Sequence, residues 1–205
     1  MKISIDSNVK EVTKGLKRFQ KKQIPFATSL AINNTLLALA GTPKKMGILG
    51  IQLDKKLDRP TPKTKKGFFV IRATKKKLIG ILKIKDFVED YLKFQIDGGI
   101  RSSGHRFAIP TRNSKLNKFG NIIGKRTGLI KKNTQFFGTV NGITGVFERT
   151  NKNKKIKLIH VLAKSATYKP KFPFYKIGGG YIANKFNDHF VDAMRKALRT
   201  AKWTR

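Results

Sequence analysis

The stretch TQFFGTVNGITGVFERTNKNKKIKLIHVLA, residues 134–163, decides the fold class. Its apolar residues alternate or run in short blocks rich in Val, Ile, Thr and Phe, which is strand patterning rather than helical periodicity. Asn141-Gly142 separates two such blocks, and this dipeptide suits the positive φ angles of a two-residue hairpin turn. Three antiparallel strands are predicted: Thr134–Val140, Ile143–Arg149 and Lys155–Ala163, with Asn151-Lys152-Asn153-Lys154 as the second turn.

Upstream of that block, Phe68–Ala73 and Leu78–Lys85 also read as strands. Asp86 then begins a short helix with Glu89 as a capping-box partner, and Val88, Tyr91 and Leu92 face inward. Downstream, Tyr168–Tyr175 contains Pro170 and Pro173 and is expected to run extended. Gly178-Gly179-Gly180 is expected to break the chain before a closing helix. In that helix Phe186, Phe190, Met194, Ala197 and Ala201 make one apolar stripe, with Asp188 early and Arg195, Arg199 and Lys202 late, as the helix dipole favours.

At the other end of the chain Lys2–Asp6 alternates like a strand. Ser7 or Asn8 caps a predicted helix with Val9, Val12, Leu16 and Phe19 in steps of three and four. Pro25 suits the first turn of a second helix, Phe26–Ala40, which Gly41-Thr42-Pro43 stops. Gly41–Lys66 and Ile100–Thr127 lack periodicity and read as loops, the latter with one short strand at Phe107–Ile109. The order is N-terminal helices, a mainly antiparallel β-sheet with long loops, and a C-terminal amphipathic helix. That predicts a single α+β domain over residues 1–205, with extended loops around 41–66 and 100–127.

Composition narrows the chemistry. In 205 residues there are 46 Lys plus Arg against 11 Asp plus Glu, a formal net charge of +35. Such a chain repels itself and points to an acidic partner: nucleic acid, an anionic membrane or an acidic protein. With 39% hydrophobic residues and 15 Phe it can still bury a core. The absence of Cys excludes disulfides, thiolate metal sites and cysteine nucleophiles. No segment reaches the roughly 18 apolar residues of a membrane span, so a soluble intracellular protein without membrane contact is expected.

No constellation builds a catalytic, cofactor or metal site, so the expectation is a protein that is not an enzyme. Gly120-Asn121-Ile122-Ile123-Gly124-Lys125-Arg126 has three residues between its glycines where the phosphate-binding P-loop needs four, and Arg126 replaces the metal-binding hydroxyl. Asp86, Glu89 and Asp90 are a tight acidic group, but their spacing is what a helix N-terminus prefers; a nuclease reading would rest on them almost alone. Asp188 and His189 are helix neighbours pointing about 100° apart. His105 and His160 have no sequence partner, and Ser102-Ser103 near His105 lack a nucleophile-elbow setting. The basic residues remain. Lys63, Lys65, Lys66, Lys75, Lys76, Lys77, Lys125, Arg126, Lys131, Lys132, Lys154 and Lys155 are the candidate contacts to nucleic acid or an acidic partner, and Phe186, Phe190 and Met194 the candidate packing and assembly residues. No helix-turn-helix, zinc finger or RNP-like aromatic motif accompanies them, so nonspecific nucleic-acid binding is the alternative function.

Ile24-Pro25-Phe26-Ala27-Thr28-Ser29-Leu30-Ala31-Ile32-Asn33, following a basic amphipathic segment, resembles the N-terminal part of tailed-bacteriophage minor tail protein Z-like proteins. Asp58-Arg59-Pro60-Thr61-Pro62 is similar to their "DRPT" segment. Ala73-Thr74-Lys75, Tyr91-Leu92 leading to Gln95–Arg101, Gly145-Val146-Phe147-Glu148-Arg149 and the closing helix extend the likeness over most of the chain. The connection from Lys44-Lys45 to Leu57 is shorter than in that family, which leaves a long- or short-tailed parent open. The resemblance implies a virion structural protein of the tail or head–tail junction, made in the host bacterial cytoplasm. It would act in tail completion as a homo-oligomeric ring against tail-tube, adaptor or portal-proximal proteins, with DNA contact as an option. The family supplies no catalytic residues.

Overall fold

The computed structural model describes residues 19–123, 130, 134–150 and 155–201. A π-helical turn, Phe19–Gln23, runs directly into helix α1, Ile24–Ala40. The two predicted helices meet at Gln23-Ile24-Pro25 in continuous helix: Gln23 keeps helical angles, and Pro25, which has no N–H to give to the preceding turn, sits where the π-helical turn passes into α1. Of the helix expected over Val9–Phe19 only Phe19 is among the described residues, and the strand at Lys2–Asp6 lies outside them.

Helices α2 (Ile48–Lys56) and α3 (Pro62–Lys65) follow, then strands β1 (Phe68–Ile71) and β2 (Ile81–Ile84) and helix α4 (Asp86–Ile96). Strands β3 (Gly99–Pro110), β4 (Gln135–Val140), β5 (Ile143–Arg149) and β6 (Ile156–Tyr168) lead to the long helix α5 (Phe174–Thr200). The class is α+β, as expected, and both sheets are antiparallel: β1–β2, and a four-stranded sheet in the order β3-β6-β5-β4. The chain forms two compact units, one drawn from residues 19–53, 62–89 and 173–201 and the other from 54–61 and 90–172.

The first unit is built on two helices. Residues 24–40 contain no charged side chain, so α1 can be enclosed. Its Ala27 and Ala31 meet Ala193 and Ala197 of α5, all four buried, and Phe26, Leu30, Phe186, Phe190 and Met194 pack around them. Four methyl side chains let the two helix backbones approach closely. The buried Ser29 and Thr35 donate their hydroxyls to Phe26 O at 2.9 Å and Ala31 O at 2.8 Å, which removes the cost of enclosing them. The β1–β2 hairpin joins this unit through Phe68, whose ring stacks on Phe174 with centroids 6.0 Å apart.

In the second unit Asn141 and Gly142 take φ of 48° and 78°, the expected hairpin turn, and pair Val140 with Ile143. The second expected turn, residues 151–154, lies outside the described residues. Of Tyr168–Tyr175, expected to run extended, Tyr168 ends β6 and Phe174-Tyr175 open α5; residues 169–173 between them are irregular, and they are also an anchor. Phe172 is fully buried, and the N–H groups of Lys171 and Phe172 both donate to Gln95 O at 2.8 Å.

Three expectations are corrected. The loop around 41–66 contains α2 and α3. Gly50, read as loop-forming, is there because a Cβ would lie 2.5 Å from Lys65 O, so the helix needs a bare backbone face. The loop around 100–127 gives its first part to β3, whose polar sequence hides a strand because the ladder to β6 supplies its hydrogen bonds. Gly178-Gly179-Gly180 does not break the chain but lies inside α5.

An added Cβ at any of these three glycines would meet nothing within 4 Å. Each therefore weakens the helix by about 0.5–1 kcal/mol relative to Ala without a packing return. The triple replacement Gly178→Ala, Gly179→Ala, Gly180→Ala is expected to raise the thermal midpoint by several degrees. Circular dichroism melting checks this, and a lowered midpoint would contradict it.

Candidate functional site

The β1–β2 connection carries Arg72, Lys75, Lys76 and Lys77, with Lys83 and Lys85 following in and after β2 and no carboxylate between them. Its geometry starts from Asn33 on α1. The Asn33 amide donates from Nδ2 to Ala73 O at 2.9 Å, and Ala73 N–H donates to Asn33 Oδ1 at 2.8 Å. This two-pronged clamp mimics a strand pairing and fixes the start of the connection. Thr74 then closes a turn: its N–H donates to Lys77 O at 2.8 Å, and its Oγ1 accepts from Lys77 N–H at 3.0 Å. The side chains of Lys75, Lys76 and Lys77 are exposed on that fixed turn. Lys75 Nζ lies 4.9 Å from the Phe26 ring centroid, a cation–π contact.

Beside the turn is an apolar groove of about 320 Å³ lined by Ile32, Thr35 and Leu36 of α1, Leu78, Ile79 and Gly80 of the connection, and Ile182 and Phe186 of α5. Gly80 keeps it open. A Cβ there would come within 2.6 Å of both Ile32 Cγ2 and Leu36 Cδ1. Ile79 is 58% exposed at the groove.

Lys63 and Lys65 lie on α3 and Lys66 just beyond it, at the other end of the short β1–β2 hairpin. A four-residue strand spans roughly 13 Å, so the two lysine groups are separate contacts rather than one patch. Lys63 Nζ sits 4.4 Å from the Phe87 ring centroid, and Lys66 Nζ donates to Pro43 O at 3.1 Å. Lys155 belongs to the other unit, where its carbonyl accepts from Thr150 N–H and Oγ1. Lys125, Arg126, Lys131, Lys132 and Lys154 lie outside the described residues.

Phe186, Phe190 and Met194 are half-buried against α1, with the two rings stacked at 6.1 Å, so their packing is within the chain. Asp86 and Glu89 stand in the first turn of α4, and Glu89 N–H donates to Lys85 O at 2.9 Å, which puts Lys85 rather than Asp86 at the cap position. Among the described residues no three His, Asp or Glu side chains come together to hold a metal. Asp188 and Asp192 pair with Lys185 at 2.9 Å and Arg195 at 3.1 Å, while His189 Nε2 lies 3.3 Å from Tyr181 Oη. The hydrogen bond that Lys185 donates to Asp188, then the charge of that carboxylate, raises the Lys185 pKa above its ordinary value.

Sequence reasoning missed two arrangements. His160 is buried with Nδ1 3.0 Å from Ser114 Oγ, but Ser114 also accepts from Thr111 N–H at 2.9 Å and donates to Ile159 O. The pair fastens the chain after β3 to β6. Arg59 takes φ of 47°, bonds Asp58, and lays its guanidinium against Gly120, 3.3 Å from where a Cβ would be. Asn117 Oδ1 holds the Gly120 turn by accepting from Phe119 N–H and Asn121 N–H, so the apparent phosphate loop begins as a tight side-chain-capped turn.

No family model, curated protein or solved structure matches the chain.

Proposed function

We propose that this protein is a structural component of a tailed-phage virion, in the tail or head–tail junction, and not an enzyme. It works by packing against copies of itself and against tail or neck proteins, after synthesis in the bacterial cytoplasm. The observation that carries the reading is the Asn33–Ala73 clamp. It joins two of the segments that resemble the minor tail protein Z-like family, Ile24–Asn33 and Ala73-Thr74-Lys75. In both, the resembling residues build a frame, and what the frame presents outward is a lysine turn and an apolar groove. Such surfaces suit assembly better than chemistry on a bound substrate. Mass spectrometry of particles purified from the phage that encodes the gene tests the proposal. The protein should be present in fixed stoichiometry with tail or neck proteins, and its absence from particles would refute the reading.

Nonspecific nucleic-acid binding is the second reading, favoured by the fixed, exposed turn at Lys75, Lys76 and Lys77. Replacing all three with Gln is expected to shift the melting temperature by no more than a few degrees, through the lost Lys75–Phe26 contact, and to reduce the salt dependence of duplex DNA binding. The slope of log K against log salt should fall by about 0.9 for each phosphate contact removed. Fluorescence anisotropy over a salt series measures it, and an unchanged slope would show that this turn meets no phosphate.

A further inference from the structure

The two edges of the four-stranded sheet are built differently. Edge strand β3 carries Arg101, His105, Arg106 and Pro110, and its register slips between Ser102 and Phe107. These are the features by which proteins prevent strand pairing at an edge. Edge strand β4, QFFGTV, carries no charge and no proline, and its register against β5 is unbroken from Gln135 to Val140. In a chain of net charge +35, residues 134–150 contain only Glu148 and Arg149 as charged groups, which cancel.

Hydrogen-bond parity shows which groups this edge offers. Arg149 N–H donates to Thr134 O at 2.9 Å, so alternate residues Phe136, Gly138 and Val140 also turn their backbone groups toward β5. Phe137 and Thr139 turn theirs outward. The Phe137 side chain shares a face with its partner Val146; Val146 is fully buried while Phe137 is 55% exposed, so the cover over that face stops short of β4. Between the two outward residues stands Gly138, where an added Cβ would meet only the Phe136 ring of its own strand. No other element among the described residues packs on Gly138, so the middle of this edge is open to an approaching strand.

We infer that β4 pairs antiparallel with β4 of a second copy of this chain across a twofold axis at Gly138. Phe137 then exchanges backbone hydrogen bonds with Thr139 of the second copy and the reverse, and the two Gly138 residues form the close, non-hydrogen-bonded pair, with Cα atoms about 4.5 Å apart. Phe137 gains a β-branched cross-strand neighbour on each side of the axis. A second copy is the occupant because the patch is neutral. Two copies of a +35 chain meet there without setting lysine against lysine, whereas a partner recognised through its acidic groups would find no cation in the strand. The inference is independent of the virion reading: its failure leaves that proposal standing, and the reverse holds too.

The chain has no Cys, so engineered thiols report the register cleanly. Under mild oxidation Gly138→Cys should form a disulfide-linked dimer in high yield, since 4.5 Å lies within the Cα separation a disulfide spans. Ile143→Cys, exposed on β5 but roughly 20 Å from its symmetry mate by strand spacing, should not. Sedimentation of the unmodified protein should give twice 23.2 kDa, with dimerisation strengthened by salt as charge repulsion is screened. Phe137→Lys, a change at an exposed site, should weaken dimerisation by tenfold or more while its circular dichroism stays that of the parent. A monomer at high protein concentration and high salt would overturn the inference. So would equal cross-linking of the two Cys variants, or a folded Phe137→Lys variant that dimerises as before.

Discussion

Replacing Phe186 and Phe190 together with aspartate is expected to abolish cooperative folding of the α1–α5 unit at low and at molar salt alike. The two rings close over Ala27, Ala31, Ala193 and Ala197, four side chains too small to form a core by themselves. Losing each half-buried ring removes about 1–2 kcal/mol of apolar burial. Each carboxylate placed there adds about 1–3 kcal/mol for lost hydration unless it finds a partner. The total, about 4–10 kcal/mol, matches the whole stability of many domains. Salt screens charges but does not restore lost rings, which separates this variant from the Lys75–Lys77 replacement. Denaturant unfolding followed by circular dichroism decides it; a variant with an unshifted midpoint would show that the stripe does not hold the helices together.

Asn33→Ala should cost about 2–4 kcal/mol, because it leaves the N–H and C=O of buried Ala73 without their side-chain partners. The Asn33→Asp variant sharpens the test by adding a pH dependence. A carboxylate can accept from Ala73 N–H but can donate to Ala73 O only when protonated. Facing that carbonyl, its folded-state pKa rises above the unfolded value of about 3.9. The protonated form is therefore favoured in the folded state, so the variant is relatively most stable below about pH 4 and loses that stability as pH climbs through the raised pKa. Unfolding midpoints from acid to neutral pH measure the trend. A flat profile, or Asn33→Ala melting like the parent, would mean that the clamp carries no load.

The sheet was legible because Asn141-Gly142 and the alternation around it are local signals, set by two residues and their neighbours. The stripe on α5 was legible for the same reason: its period lies within one helix. The missed elements depend on contacts distant in sequence. Gly50 looks like a loop residue until Lys65 O is seen beside it, and β3 looks like a polar loop until β6 is paired with it. Of the lysines, the sequence showed which are clustered but not that Asn33, 40 positions before Ala73, holds one cluster still. A clamp between an amide and a backbone has no spacing rule that would mark it in advance.

The pairing of α1 with α5 also dictates an order of events during synthesis. Ala31 and Ala193 touch the same cluster from nearly opposite ends of the chain. At 5–20 residues per second, a ribosome needs roughly 8–30 s to make the intervening segment. Throughout that interval the Ala27–Ala31 face of α1 lacks its cover from α5, although the β1–β2 connection can already reach Ile32, Asn33 and Leu36, whereas the β4–β5 hairpin can close within microseconds of leaving the ribosome. The second unit can thus be complete while the first still waits for its last helix. A chain cut short before α5 would carry a finished sheet and an apolar helix with its alanine face uncovered, the form in which this protein is most exposed to aggregation and most in need of a chaperone.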